Sequence, residues 1–330
     1  MKTKIQFKEM DNFFIINSTE NENRTLRDID NTTYLQVNEM SVQDRCFLNA
    51  MLLRSCPKKV LELGVSAGGS SVLILNAIKQ TDQAELHAID YLPFWYKSND
   101  KPSGFIVENY PLLKNKYKIY RGVMATKFIN DIGGEIDFVL LDTMHCNPGE
   151  ILDFLMILPF LKEDATVVFH DISLHASIEH GHNGWSLTTC LLMSSIYGDK
   201  FIPDYLSGNP LNLSNNLIFP FPSIGAVRLN QYTKKRLFEV FNLLKLRWMY
   251  LPPENDKKEI MEHFSRYYDS ILIDYLDTVF NFQNFTFEKY KEKEQEIIED
   301  IKNELNSMRS SKSWRITAPL RKIKHIIRKR

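Results

Sequence analysis

The rhythm of apolar and polar positions changes three times along the chain. Residues 1–40 are polar and weakly patterned, which predicts a loosely structured or capping arm. From 41 to about 230, short apolar runs alternate with stretches of helical spacing. That alternation is the pattern of strand–helix–strand units around a parallel sheet. Residues 231–282 carry aromatic-rich amphipathic stretches and read as a helical extension, and 283–330 begin as a charged helix and end in a basic tail.

Within the second region, continuous apolar runs predict strands at 59–63, 85–90, 117–121, 136–142 and 165–170. Helical spacing of Val72, Leu75 and Ile78 places a helix over 69–79, and another is expected over 149–161. Residues 216–219 and 225–229 are expected to form an antiparallel pair at the sheet edge. The expected architecture is α/β, a Rossmann-like, doubly wound, mostly parallel seven-stranded sheet over 41–230. In such sheets, ligands sit beyond the carboxyl ends of the strands. Glu62, Gly64, Asp90, Asp142, His170 and Asp171 all fall at those ends.

Composition narrows the class. The chain is 330 residues long, with 41 Lys+Arg against 41 Asp+Glu and 44% hydrophobic residues, so a packed core is expected and global disorder is not. Its richest apolar stretch, 151–161, includes Asp153 and is too short for a bilayer core of about 30 Å. The N-terminal residues lack a signal-peptide core. Cys46, Cys56, Cys146 and Cys190 show no CxxC spacing, so neither a disulfide framework nor a zinc knuckle is suggested. A cytoplasmic setting is expected. The net charge of zero hides an asymmetry, because no acidic residue follows Glu304 while nine basic ones do. A basic end of this kind is expected to meet something anionic.

The segment from Glu62 to Ser71 leaves a strand and opens a helix. Glycine admits a ligand close to backbone, and a helix N-terminus offers unpaired N–H groups. Asp90, at the end of the next strand, is placed to accept from two ribose hydroxyls. A dinucleotide fingerprint requires glycine where this chain has Ser66. The sequence instead reads E-x-G-x-x-x-G-G and resembles the first motif of class I S-adenosylmethionine-dependent methyltransferases. The resemblance implies that Glu62, Gly64, Val65, Ser66, Gly68, Asp90 and Asp142 hold that cofactor.

Polar groups end two strands, Asp142-Thr-Met-His145 after one and His170-Asp171 at the other. A carboxylate at the end of an apolar strand is costly unless paired or bound to a cation. Two oxygen ligands and an imidazole suit a divalent cation, Mg²⁺ or Mn²⁺. The D-x-x-H pattern with a following x-D pair resembles metal-dependent O-methyltransferases that act on sugar hydroxyls. That resemblance implies Asp142, His170 and Asp171 as metal ligands and His145 as general base. Where relatives often carry Glu, this chain has His170, which lowers the negative charge of the site.

Five of the eight histidines lie between 145 and 182, and the stretch 172–185 reads as a loop over the strand ends. His175, His182 and Trp185 are its candidate substrate contacts. The segment 311–321, S-K-S-W-R-I-T-A-P-L-R, is similar to one found at the ends of bacterial surface-polysaccharide enzymes. The resemblance implies a nucleotide-linked sugar or a glycan as acceptor. Trp314, Ile316, Leu320, Ile323, Ile326 and Ile327 among the tail's cations make an interfacial anchor or docking element, expected at the inner face of the membrane or on an assembly complex. Ile298, Ile301, Leu305 and Met308 keep a/d spacing that would support a homo-oligomer. No nucleic-acid module is recognised. Two alternatives remain open: an NAD-dependent sugar oxidoreductase, for which Tyr110 and Lys114 have the right spacing but the wrong place, and a non-catalytic docking module.

Overall fold

The computed structural model describes residues 12–176, 187–204 and 223–310. The chain divides into two compact units, 1–277 and 278–330.

In the first unit the elements follow one another as a short strand, two short helices, and then alternating strands and helices. They are β1 (Phe13–Ile16), α1 (Glu20–Arg24), α2 (Thr32–Val37), α3 (Val42–Ser55), β2 (Lys59–Leu63), α4 (Gly69–Ile78) and β3 (Glu85–Asp90). A two-stranded hairpin, β4 (Phe94–Trp95) and β5 (Ser98–Pro102), precedes β6 (Tyr117–Arg121), α5 (Ile129–Ile132), β7 (Ile136–Leu141) and α6 (Gly149–Ile157). Then come β8 (Leu161–His170), α7 (Thr188–Ser195), β9 (Gly198–Pro203), β10 (Ile224–Leu229), α8 (Leu237–Leu243) and α9 (Glu254–Tyr267). The last helix, α10 (Ser270–Ser310), continues into the second unit.

The main sheet has the order β1-β9-β10-β8-β7-β2-β3-β6. Strands β8, β7, β2, β3 and β6 run parallel. β10 is antiparallel to both of its neighbours, and β1 runs parallel to β9. The mostly parallel, doubly wound architecture is as expected, but the sheet has eight strands rather than seven. Two of them were not expected, β9 and β1, which pair through Phe13 with Lys200 to Ile16 with Pro203. The strand expected over 225–229 is present as β10, partnered by β8 and β9. Its expected partner, 216–219, lies outside the described residues.

Both faces of the sheet are covered, which is why its central strands read as unbroken apolar runs. Val60, Leu86, Phe138, Leu140, Val168 and Ala226 share one buried cluster with α3 and α4 residues such as Leu48, Val72 and Leu75. On the opposite face, Phe154 of α6 packs against Phe169 of β8. Behind it, Phe241 of α8 meets Phe264 of α9 edge-on. From β2 the chain winds outward through β3 to β6, then returns to the other side of β2 as β7 and β8. The crevice between β2 and β7 is therefore the switch point where such sheets bind ligands. In the second unit, residues 291–310 of α10 are exposed, including Ile298, Ile301, Leu305 and Met308. Among the described residues no helix is long and apolar enough to cross a membrane.

Candidate active site at the strand ends

The loop after β2 is held open by its backbone. Gly64 has φ +83, and a Cβ there would lie 1.8 Å from the carbonyl oxygen of Asp142. The two strand ends thus touch through main chain, with the Asp142 amide donating to the Leu63 carbonyl at 2.9 Å. Gly68 (φ +94) packs its Cα side against Gly104 before α4 begins. Asp90, at the end of β3, is nearly buried and pins this loop. One carboxylate oxygen accepts from the amides of Val65 at 3.0 Å and Ser66 at 2.9 Å, and the other from the Leu92 amide at 2.8 Å. Burial nonetheless holds its pKa above the ordinary value, outweighing those three amides.

Glu62 stands elsewhere than its motif position suggests. Alternate residues of a strand face opposite sides, so Glu62 shares the α3–α4 side with Val60. It is fully buried, and its two oxygens accept from the hydroxyls of Ser70 and Ser71 at 2.5 Å each. It ties β2 to the start of α4 and supports the loop from behind rather than lining its open side. Burial pushes this carboxyl up to about 8, against the two serine hydroxyls that favour its charged form. Between pH 4.5 and 8 the native state therefore binds a proton that the unfolded chain has released, and stability falls as pH rises through that window. Glu62→Gln should melt with wild type near pH 4 and progressively higher than wild type toward pH 8. A melting-temperature difference that does not change between those pH values would overturn this reading of the side chain.

Over the open side of the loop lies Glu39, in the connection between α2 and α3. Its carboxylate accepts from the Ser66 hydroxyl at 2.7 Å and from Tyr96 and Lys97 of the β4–β5 hairpin at 2.5 Å each. Glu39, Met40, Val65, Ser66, Ser70 and Asp142 line a common cleft. No motif marks Glu39; only the packing of the N-terminal helices brings it here.

Across the crevice, the ends of β7 and β8 bring together the polar groups expected there. One donor atom from each of Asp142, His170 and Asp171 lies within 4.8 Å of the others. His170 Nδ1 is 3.1 Å from Asp142 Oδ1 and 3.7 Å from Asp171 Oδ1. His145 joins them, its Nε2 standing 3.5 Å from Asp142 Oδ1 and 3.3 Å from Asp171 Oδ2. Its Nδ1 is 3.0 Å from Oε1 of Glu150, a fully buried residue of α6 whose other oxygen accepts from the Thr189 hydroxyl. Asp171 is steadied by the Ser223 hydroxyl, which donates to Oδ1 at 3.0 Å.

Burial would lower the pKa of both imidazoles, but their neighbours reverse it. Glu150, then Asp142 and Asp171, lift His145 to about 9, and Asp171 and Asp142 hold His170 well above the ordinary value. Burial would raise Asp142, yet the His170 charge beside it keeps this carboxyl below the usual range. The carboxylates around both imidazoles thus favour their protonated forms. Glu150 and Asp44, also against this cluster, were not singled out from the sequence. An acidic residue opening the apolar run 151–161 was the available sign for Glu150.

The remaining candidates are not gathered here. His175 is half-buried in the turn Leu174–Ala176 that follows Asp171. His182 and Trp185 lie outside the described residues, as do 311–330 and the segment resembling polysaccharide enzymes. Tyr110 donates to the Ile29 carbonyl and Lys114 pairs with Glu108, so the two do not form a dehydrogenase pair.

No curated protein matches this sequence. Among solved structures, the chain overlays in part on the O-methyltransferase TomG from Streptomyces achromogenes, involved in tomaymycin synthesis and solved in complex with SAM. Identity is 14%, over 66% of this chain and 93% of that one, with a TM-score of 0.40. It also overlays on the O-methyltransferase from Bacillus cereus in complex with SAH, at 12% identity over 52% and 76% of the two chains and a TM-score of 0.36. Cofactor-bound Rv0187 from MTB overlays at 17% identity over 54% and 79%, with a TM-score of 0.39. Residues 61–172 match the model of the Methyltransf_24 family, described as a methyltransferase domain. That match spans the glycine loop and both polar strand ends, and it supports reading residues 61–172 as a methyltransferase domain.

Proposed function

We propose that the chain transfers a methyl group from S-adenosylmethionine to a sugar hydroxyl, on a nucleotide-linked sugar or a growing surface glycan. The observation that carries this reading is the contact of the cofactor loop with the polar cluster. Gly64 lies against the Asp142 backbone, and the Asp142 side chain faces His170 and His145. A donor methyl over the loop and an acceptor oxygen at the cluster would therefore be neighbours, and alignment of two reactants is itself a large part of such a rate enhancement.

The chain's own groups divide the work. The loop amides and the N-terminus of α4 face the cofactor's polar end, with Asp90 holding the loop in shape. Glu39 sets a carboxylate at the mouth, complementary to a cationic sulfonium cofactor. A sugar hydroxyl is too weakly acidic to attack unaided, and the carboxylates and imidazoles beyond β7 and β8 are where its proton would leave. The donor set fits a divalent cation, which when bound at Asp142, His170 and Asp171 would supply Lewis acidity toward the acceptor oxygen. The basic tail and its resemblance to polysaccharide enzymes support work at the inner face of the membrane, beside an assembly complex. The exposed apolar stripe of α10 would serve self-association.

Calorimetry with S-adenosylhomocysteine and with NAD tests the cofactor class, and S-adenosylhomocysteine alone should bind. Incubation with labelled S-adenosylmethionine and a panel of nucleotide sugars should then label one sugar. Binding of NAD in place of S-adenosylhomocysteine would refute the reading. So would a host surface glycan whose methylation is the same with and without this protein, if no nucleotide sugar is labelled.

A further inference from the structure

We infer that His145 is a fourth metal ligand rather than a free base, so that the strand ends form a site of two imidazoles and two carboxylates, each imidazole backed by a buried acid. The inference rests on this cluster being the active site described above. It replaces the general-base role that the sequence resemblance implies for His145.

Three observations carry it. First, both histidines turn one ring nitrogen toward the same pair of carboxylates. His145 presents Nε2 and His170 presents Nδ1 to Asp142 and Asp171. Second, the spacings suit shared ligation better than ion pairing. Imidazole–carboxylate hydrogen bonds settle near 2.9 Å, whereas three of the four nitrogen–oxygen distances are 3.3, 3.5 and 3.7 Å. Donors held about 2.1 Å from one cation stand roughly 3.0–3.4 Å apart along the edges of their polyhedron, which the 3.1 and 3.3 Å spacings meet and the 3.5 and 3.7 Å spacings approach. Third, each imidazole has an acid behind its other nitrogen. Glu150, with no exposed surface, faces His145 Nδ1 at 3.0 Å. Asp44, 2% exposed, stands 3.9 Å from His170 Nε2. A carboxylate behind a ligating histidine fixes its tautomer and raises its basicity, and this is the usual surrounding of a metal-bound imidazole.

Four carboxylates converging on two imidazoles in a largely buried space would be costly without a compensating cation. Two nitrogen donors also bear on which cation is taken. Magnesium prefers an all-oxygen shell, while imidazoles favour the later divalent metals. The site should therefore take Mn²⁺, Co²⁺ or Zn²⁺ at least about tenfold more tightly than Mg²⁺.

The test uses the full chain, stripped with chelator and loaded with one equivalent of Cu²⁺ as a spectroscopic probe, alongside calorimetry with Mn²⁺ and with Mg²⁺. Pulsed EPR should count two imidazoles in wild type and one each in His145→Gln and His170→Gln. Glu150→Gln should keep both imidazoles but weaken Mn²⁺ binding about 10–100-fold. A wild-type spectrum with a single imidazole would overturn the assignment, and that outcome needs no variant to fold. Equal affinity for Mg²⁺ and Mn²⁺ would refute the metal preference. S-adenosylhomocysteine binding, measured on every sample, separates the two levels. If it persists while no metal binds, this inference fails and the proposed function stands. If wild type does not bind it, the proposed function fails whatever the EPR shows.

Discussion

Asp142→Ala should lose at least about 10³-fold in methyl transfer while binding S-adenosylhomocysteine within a few-fold of wild type. The asymmetry follows from how this residue meets its neighbours. Toward the cofactor loop it presents main chain: its amide donates to Leu63, and its carbonyl lies where a Gly64 side chain would be. Truncation leaves both in place. Toward the acceptor side it presents the carboxylate, which His170 and His145 both face. Its loss leaves the buried His170 and the partly buried His145 with only Asp171 between them. Single-turnover assays with saturating cofactor, set beside calorimetry, separate the two effects. A parallel fall in both would show that the side chain is part of the cofactor's own binding surface.

The second large effect is on the fold around the loop. Gly64→Ala should destabilise the protein by about 3 kcal/mol or more, which for a unit of this size is a melting temperature lower by ~6 °C or more. Two causes add. A side chain is disfavoured at φ +83, and the new methyl would overlap the Asp142 carbonyl at 1.8 Å, backbone that cannot swing aside. Gly134→Ala is the matched control, since a Cβ there meets nothing within 4 Å, and its melting temperature should stay with wild type. Thermal melts in which both variants behave alike would show that the loop and the β7 end can separate without penalty.

Much of this architecture was readable in advance because parallel strands covered on both faces are written as continuous apolar runs. The stretches KVLEL and ELHAID appear in the structure as β2 and β3 with the expected bounds, and YKIYR as β6, a half-exposed edge strand, also within its expected bounds. The eighth strand was not readable: FFII is four residues long and set in a polar arm, and only its register with β9 makes it a strand. β9 itself, GDKFIP, is too mixed in pattern to announce an element.

The site divides in the same way. Asp142, His170 and Asp171 could be grouped because neighbouring strand ends must meet. Period two along β2 puts Glu62 on the side of Val60, where it is buried against the hydroxyls of Ser70 and Ser71. Glu39, Asp44 and Glu150 depend on where α3, α6 and the α2–α3 connection pack against the sheet. That is long-range information, and no local spacing encodes it.

The antiparallel insertion of β10 has a consequence for how the enzyme is made. Ile224 pairs with His170, Ser223 bonds the Asp171 carboxylate, and the Ile172 amide donates to the Ser223 carbonyl. The turn that carries Asp171 is thus clasped by a strand that leaves the ribosome some fifty residues later. A nascent chain stopped after β8 would already contain every residue of the polar cluster and still lack the piece that holds one of them in position. Competence for chemistry would arrive late in synthesis, and early-terminated products would be idle rather than partly active.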